Sequence, residues 1–236
     1  MISLSAPALL LGKAYVLAGL TFCPPPEAPP DMKVIFNHEK PVYDYSVSVK
    51  DLTRRLNAVR GEKSTDLKSR HVSSHALGLT ETSIVRQYAY SYKHITEYSS
   101  AGRKSCIYLK SGTLTLTHKT NVFIARELED YPCRKEKTLD HENRHVAIGK
   151  NTVEESVDDL RRELKSSASR KVPKIPLREK DIEGRMKTIQ NKIMEDLRYV
   201  IKKMEEKMNE RQAEIDTPEN YKYESGLCPH EKLKLR

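Results

Sequence analysis

The chain has little apolar material for its length. Hydrophobic residues make up 37% and charged residues 32% of 236, a balance that allows one core and leaves segments that do not pack. Its four cysteines, Cys23, Cys106, Cys133 and Cys228, form no C-x-x-C pair, which argues against a structural zinc knuckle. There is no basic block interleaved with aromatics and no helix-turn-helix or zinc-finger spacing. The net charge of +9 therefore reads as a basic surface, and no specific nucleic-acid partner is expected. No internal repeat is found. No integral membrane span is expected either, because the apolar runs of segment 1–22 are broken by Gly12 and Lys13.

That first segment resembles an imperfect export signal without the usual basic start. Cys23-Pro24-Pro25-Pro26-Glu27-Ala28-Pro29-Pro30 follows as an extended linker. The expected organisation is a signal-like segment and linker over 1–31, a folded domain over 32–221 and a C-terminal tail over 222–236. An exported protein is periplasmic or secreted, and Cys106–Cys133 is then the favoured disulfide. The alternative is a cytoplasmic protein with four free thiols.

One pentapeptide proposes a chemistry. His141-Glu142-Asn143-Arg144-His145 reads H-E-x-x-H. On a helix, positions i and i+4 share a face, so both imidazoles reach one metal ion, here Zn²⁺. Glu142 then lies beside the metal's water and serves as general base. Thr138 is the expected N-cap. Apolar residues at helical spacing continue to Leu164, predicting a helix over 138–166.

Around the motif, 42–49 alternates as a strand and 50–57 reads as a short helix ending near Gly61. Residues 84–98 read as a strand with Tyr88, Tyr90 and Tyr92 on one face, a packing pattern. Lys110-Ser111-Gly112 looks like a hairpin turn between two strands. Beyond Pro176, Ile182, Met186, Ile189, Ile193, Leu197, Val200, Ile201, Met204 and Met208 recur at steps of three and four. This stripe either packs on the motif helix or feeds self-association through a coiled coil. The expected fold is α+β: an antiparallel sheet, then the motif helix, then a long antiparallel partner helix.

Four segments carry a resemblance. They are Tyr43-Asp44-Tyr45-Ser46-Val47-Ser48-Val49-Lys50-Asp51-Leu52, the Cys106 strand, His141-Glu142-Asn143-Arg144-His145-Val146-Ala147-Ile148, and Ala213-Glu214-Ile215-Asp216-Thr217. Over about 42–220 the chain resembles a group of uncharacterised bacterial proteins with a zincin-like core, known chiefly as a domain of unknown function. The resemblance implies an exported protein with metallopeptidase-type architecture. The family's Asp turn continues with His and Gly, whereas this chain has Pro218-Glu219-Asn220-Tyr221.

A catalytic zinc has three protein ligands and a water. The extended H-E-x-x-H-x-x-G-x-x-H pattern is missing. An antiparallel partner helix brings Glu205, Glu206, Glu210, Glu214 and then Asp216 or Glu219 back beside the motif. Asp216 is the favoured third ligand because it lies in the Asp-containing turn that the resemblance implies, and His118 is an outside option. Glu154 and Glu155 lie too far along the motif helix. Two function classes follow: a zinc-dependent peptidase or amidase acting on a peptide or cell-envelope substrate, and a non-catalytic envelope or interaction protein on the same scaffold.

Overall fold

A computed structural model describes residues 22–63, 75–99, 102–171 and 174–234; the export-like segment lies outside them, apart from Phe22. Its strands are β1 (Asp31–His38), β2 (Val42–Asp44), β3 (Gly78–Ser99), β4 (Gly102–Ile124) and β5 (Leu177–Arg178). Its helices are α1 (Val49–Lys63), α2 (Pro132–Arg170), α3 (Ile182–Ile215) and α4 (Pro218–Gly226).

All strands pair with β4. β3 runs antiparallel along one edge, from Gly78↔Ile124 to Ser99↔Gly102. The other edge takes β5 at Lys104 and Ser105, β1 from Asp31↔Ser111 to His38↔His118, and β2 from Val42↔Asn121. β1 and β2 are parallel to β4. The sheet is therefore mixed, which corrects the expected antiparallel sheet. The α1 segment and the β3–β4 pair together carry the chain back to the same end of β4, which parallel pairing requires.

The expected turn at Lys110-Ser111-Gly112 lies inside β4. Ser91 pairs with Ser111 while Tyr92 pairs with Leu109, so Lys110 is the extra residue of a β-bulge. Gly112 is needed for close approach, since a Cβ there would collide with Met32 Cε and lie 3.0 Å from Tyr90 Cδ1. Glycine and serine thus mark a bulge here rather than a reversal. β2 ends early because Asp44 Oδ1 accepts from Ser46 N and Oγ, at 2.8 and 2.7 Å, forming a local turn. Ser48 then caps α1, its Oγ accepting from Asp51 N at 3.1 Å.

α2 lies across one face of the sheet. Met32, Val34, Leu109, Leu114 and Leu116 meet Val153, Leu160 and Leu164 of α2 and Ile189, Ile193, Leu197, Ile201 and Met204 of α3. Each fully buried aliphatic side chain contributes roughly 1.5–3 kcal/mol. The apolar stripe of α3 thus packs on the motif helix and the sheet, the first of its two expected uses. Tyr88, Tyr90 and Tyr92 pack against the same core. α2 and α3 run antiparallel: Asp196 pairs with Arg170, Arg211 with Glu155, and Gln212 donates to His145 O. Among the described residues no helix is long and apolar enough to cross a membrane.

α2 begins at Pro132, not near Thr138. Proline fits the first helical position. The cap comes from the far end of the chain: Glu231 accepts from the Cys133 and Arg134 amides, each at 3.0 Å. Segment 222–234 is therefore fastened to α2 rather than a loose tail. The disulfides reinforce this. Cys133 is bonded to Cys228, with Cα atoms 5.9 Å apart, and Cys23 to Cys106, at 5.5 Å. The expected Cys106–Cys133 pair is wrong, because Cys106 is buried at the β5 end of β4 while Cys133 opens α2. The proline-rich run is likewise anchored, with Tyr108 Oη donating to Pro24 O at 2.7 Å.

His118 continues the inward row of Leu114 and Leu116 and is fully buried. Its Nδ1 faces His38 Nδ1 at 3.0 Å, and its Nε2 points at Gly149, where a Cβ would sit 2.6 Å away. Burial, helped by His38, pushes its pKa down to about 4.

Two outcomes are expected. Non-reduced peptide mapping should find Cys23–Cys106 and Cys133–Cys228, and reducing the latter should cost about 4–5 kcal/mol in the chain-entropy model; a Cys106–Cys133 peptide would contradict the topology. Secondly, the unfolded chain binds a proton at His118 near pH 6.5 while the folded chain resists until about pH 4. Stability should therefore fall as pH drops through that window, by about 3 kcal/mol at most. Denaturation of wild type and His118→Leu across pH 4–7 tests this, and an unchanged slope in the variant would refute it.

Candidate metal centre

α2 presents His141 and His145 on one buried face, one turn apart. The antiparallel return of α3 delivers Asp216, the residue just past its end, to the same place. His141 Nε2 and His145 Nε2 are 3.1 Å apart, and Asp216 Oδ1 lies 3.2 and 3.1 Å from them. A tetrahedral zinc with bonds of 2.0–2.1 Å needs donors about 3.3 Å apart. The spacing of the three atoms thus fits one face of such a tetrahedron.

The other ring nitrogens are fixed from outside. His141 Nδ1 donates to Glu224, 3.1 Å from Oε2, and His145 Nδ1 donates to Gln212 Oε1. With Nδ1 held in this way, each ring would present its Nε2 to a metal ion at the common point once the proton shared with Asp216 is displaced. Glu224 is itself held by Arg144 and by Asn220 Nδ2 at 3.1 Å. Gln212 is locked by donating to His145 O at 3.1 Å.

Charge follows geometry. Burial raises the cost of ionising Asp216, but hydrogen bonds from His141 and His145 outweigh it and hold its carboxyl well below the usual range. Burial opposes charge on both imidazoles, yet the Asp216 carboxylate leaves their pKa values raised. Glu142 is pushed up by burial, against the Thr80 hydrogen bond.

Glu142 sits beside the donors, with its Oε2 accepting from Thr80 Oγ1 at 2.6 Å. Gly78 makes room: a Cβ there would collide with Glu142 Oε1 and lie 2.7 Å from Thr138 Cγ2. Thr138, expected as a cap, is instead a packing residue of the cleft. The cleft has a volume of about 130 Å³, and Leu56, Ala76, Leu77, His141, Glu142 and Tyr221 are among its lining residues.

The structure brings together His141, Glu142, His145 and Asp216. His118 is not among the donors; it lies under Gly149. Glu205 pairs with Arg86 and Glu206 with Lys202, while Glu210, Glu214 and Glu219 are outside the donor set. Glu155 binds Lys207 and Arg211. Among the described residues one other group has metal-ligand types, Cys133, Cys228 and Glu231, but its sulfurs are bonded to each other. Sequence reading missed Glu224, Gln212, Thr80 and Tyr221. Glu224 fell within the expected tail, and none of the four belongs to a local motif. Neither a protein-family model, a curated protein nor a solved structure matches the chain.

Removing a donor and removing its orienter should differ in size. Glu224→Gln is expected to weaken zinc binding about 10–100-fold, and Asp216→Ala more than that. Competition with a chromogenic chelator measures both, and wild-type affinity in Asp216→Ala would remove Asp216 from the donor set.

Proposed function

We propose that the chain is a zinc-dependent peptidase or amidase. The observation that carries this reading is the meeting of three metal-type donors, His141, His145 and Asp216, within 3.2 Å of one another, with His141 and the adjacent buried Glu142 both lining one cleft. Three protein ligands and an open position are the pattern of a catalytic rather than a structural zinc. When bound, the ion polarises the scissile carbonyl and lowers the pKa of its water.

The chain's own residues do the rest. Glu142 takes a proton from the attacking water and returns it to the leaving nitrogen. Thr80 Oγ1 donates to that carboxylate and holds it in place. Leu56, Ala76 and Leu77 supply the apolar wall along which a substrate lies. Burial raises the pKa of Glu142, which makes its carboxylate a stronger proton acceptor.

Two disulfides support a working place in an oxidising compartment, the periplasm or the cell exterior. A peptide or cell-envelope substrate fits such a location. Membership of the zincin-like group belongs to the same proposal.

Glu142→Gln should keep zinc and fold, because the amide is nearly isosteric and is not a donor. Its turnover of a peptide and peptidoglycan-fragment panel should fall by about 10²–10⁴-fold. Equal rates would remove Glu142 from the mechanism. If zinc-loaded wild type turns over nothing, the non-catalytic envelope or interaction protein is the better reading.

A further inference from the structure

We propose that the Tyr221 hydroxyl is the hydrogen-bond donor that stabilises the oxyanion formed at this centre, a role that rests on the hydrolytic reading above. Tyr221 Oη donates to Asp216 Oδ1 at 2.5 Å. That same oxygen is the one facing both imidazole Nε2 atoms. The phenol hydroxyl therefore sits on the rim of the donor triangle. Its ring rests against His141, with centroids 5.2 Å apart, and is 39% exposed where it lines the cleft shared with Glu142. A bound substrate can reach it.

The position is set by one short piece of chain. Thr217 caps α4 by accepting from Asn220 N at 3.2 Å, and Asn220 Nδ2 donates to Ile215 O at 2.7 Å. Tyr221 N donates to Thr217 O at 3.0 Å. Asp216 and Tyr221 thus flank a single capped turn, which fixes the hydroxyl against the metal-facing oxygen.

The chemistry needs such a donor at one moment. As water attacks, one of its O–H bonds breaks and the proton goes to Glu142. The new C–O bond forms, and the carbonyl π pair moves onto the carbonyl oxygen. That oxygen gains charge only then, which is when a prepositioned donor acts. A metal ion held by His141, His145 and Asp216 would draw on the lone pairs of the Asp216 carboxylate and make it a poorer acceptor, which would free the Tyr221 O–H to donate to the new oxyanion. Other nearby cations are engaged: Arg144 by Glu224, and Lys137 by Glu136 and Asp140.

The test compares zinc-loaded wild type with zinc-loaded Tyr221→Phe by calorimetry. The probes are a phosphonoacyl leucyl dipeptide, whose tetrahedral oxygens mimic the oxyanion, and the mercaptoacyl compound on the same dipeptide. Tyr221→Phe should keep its melting temperature and hold zinc within about threefold, should bind the phosphonate about 10–100-fold more weakly, and should bind the thiol within about twofold. Equal weakening of both probes, or of neither, overturns the assignment. So does a large loss of zinc affinity, which would confine the hydroxyl to orienting Asp216. Failure of the phosphonate to bind wild type overturns the hydrolytic reading, and this assignment with it.

Discussion

Two imidazole nitrogens and a carboxylate oxygen held 3.1–3.2 Å apart in a half-buried corner need a cation among them. A proton or a metal ion can supply it, but an uncompensated site would cost far more than the local packing returns. The rest of the architecture makes that corner unavoidable. α2 fixes two donors one turn apart, and α3 must return antiparallel for its end to reach them. That return is enforced at a distance from the site by aliphatic packing of Ile193, Leu197 and Ile201 against Leu160 and Leu164. The apolar interface thus holds a polar site that would not assemble by itself.

The C-terminal segment closes the same assembly. Glu224 orients His141, Glu231 caps the first amides of α2, and Cys228 is bonded to Cys133 beside that cap. These contacts all act on the first three turns of α2. A helix N-terminus with its amides satisfied by a carboxylate is also stabilised through its dipole. The disulfide, the cap and the histidine orienter therefore stiffen one region, where the donor geometry has least tolerance. On the other side Tyr43 Oη donates to Asn143 Oδ1 at 2.8 Å, tying β2 to the motif.

How much of this was readable in the sequence depends on the range of each interaction. The two histidines are local, and helical periodicity suffices to pair them. Helix rise brought Asp216 into a set of acidic candidates once an antiparallel pair was assumed, and the Asp-containing turn of the resemblance singled it out. Glu224 and Gln212 were not reachable in this way, since nothing local marks a glutamate or glutamine that meets a histidine 83 or 67 residues away. The start of α2 was misread for the same reason: its cap is Glu231, not Thr138. The single long strand β4 was split because Lys110-Ser111-Gly112 has the composition of a turn, while the pairing partners that make it a bulge lie on β3 and β1. Cysteine pairing likewise follows topology, and four cysteines leave three choices that sequence cannot rank.

The cation demanded by the donor triangle also links fold and metal through pH. Burial disfavours charge on His141 and His145, and Asp216 more than reverses this, so their pKa values are raised. In the ion-free protein the protonated pair stabilises the fold fully below the ordinary imidazole value near 6.5. That contribution is lost as pH rises through the raised values. A metal has the opposite dependence, because its ligands must be deprotonated. A proton and a metal ion would therefore compete for the same corner: the proton would serve at low pH, and a bound metal would replace it where the proton leaves. Asp216 remains anionic throughout, since its own pKa is driven well below the usual range. A carboxylate that stays charged while its two histidines change partner keeps the site compensated in both states, and a neutral third ligand would not.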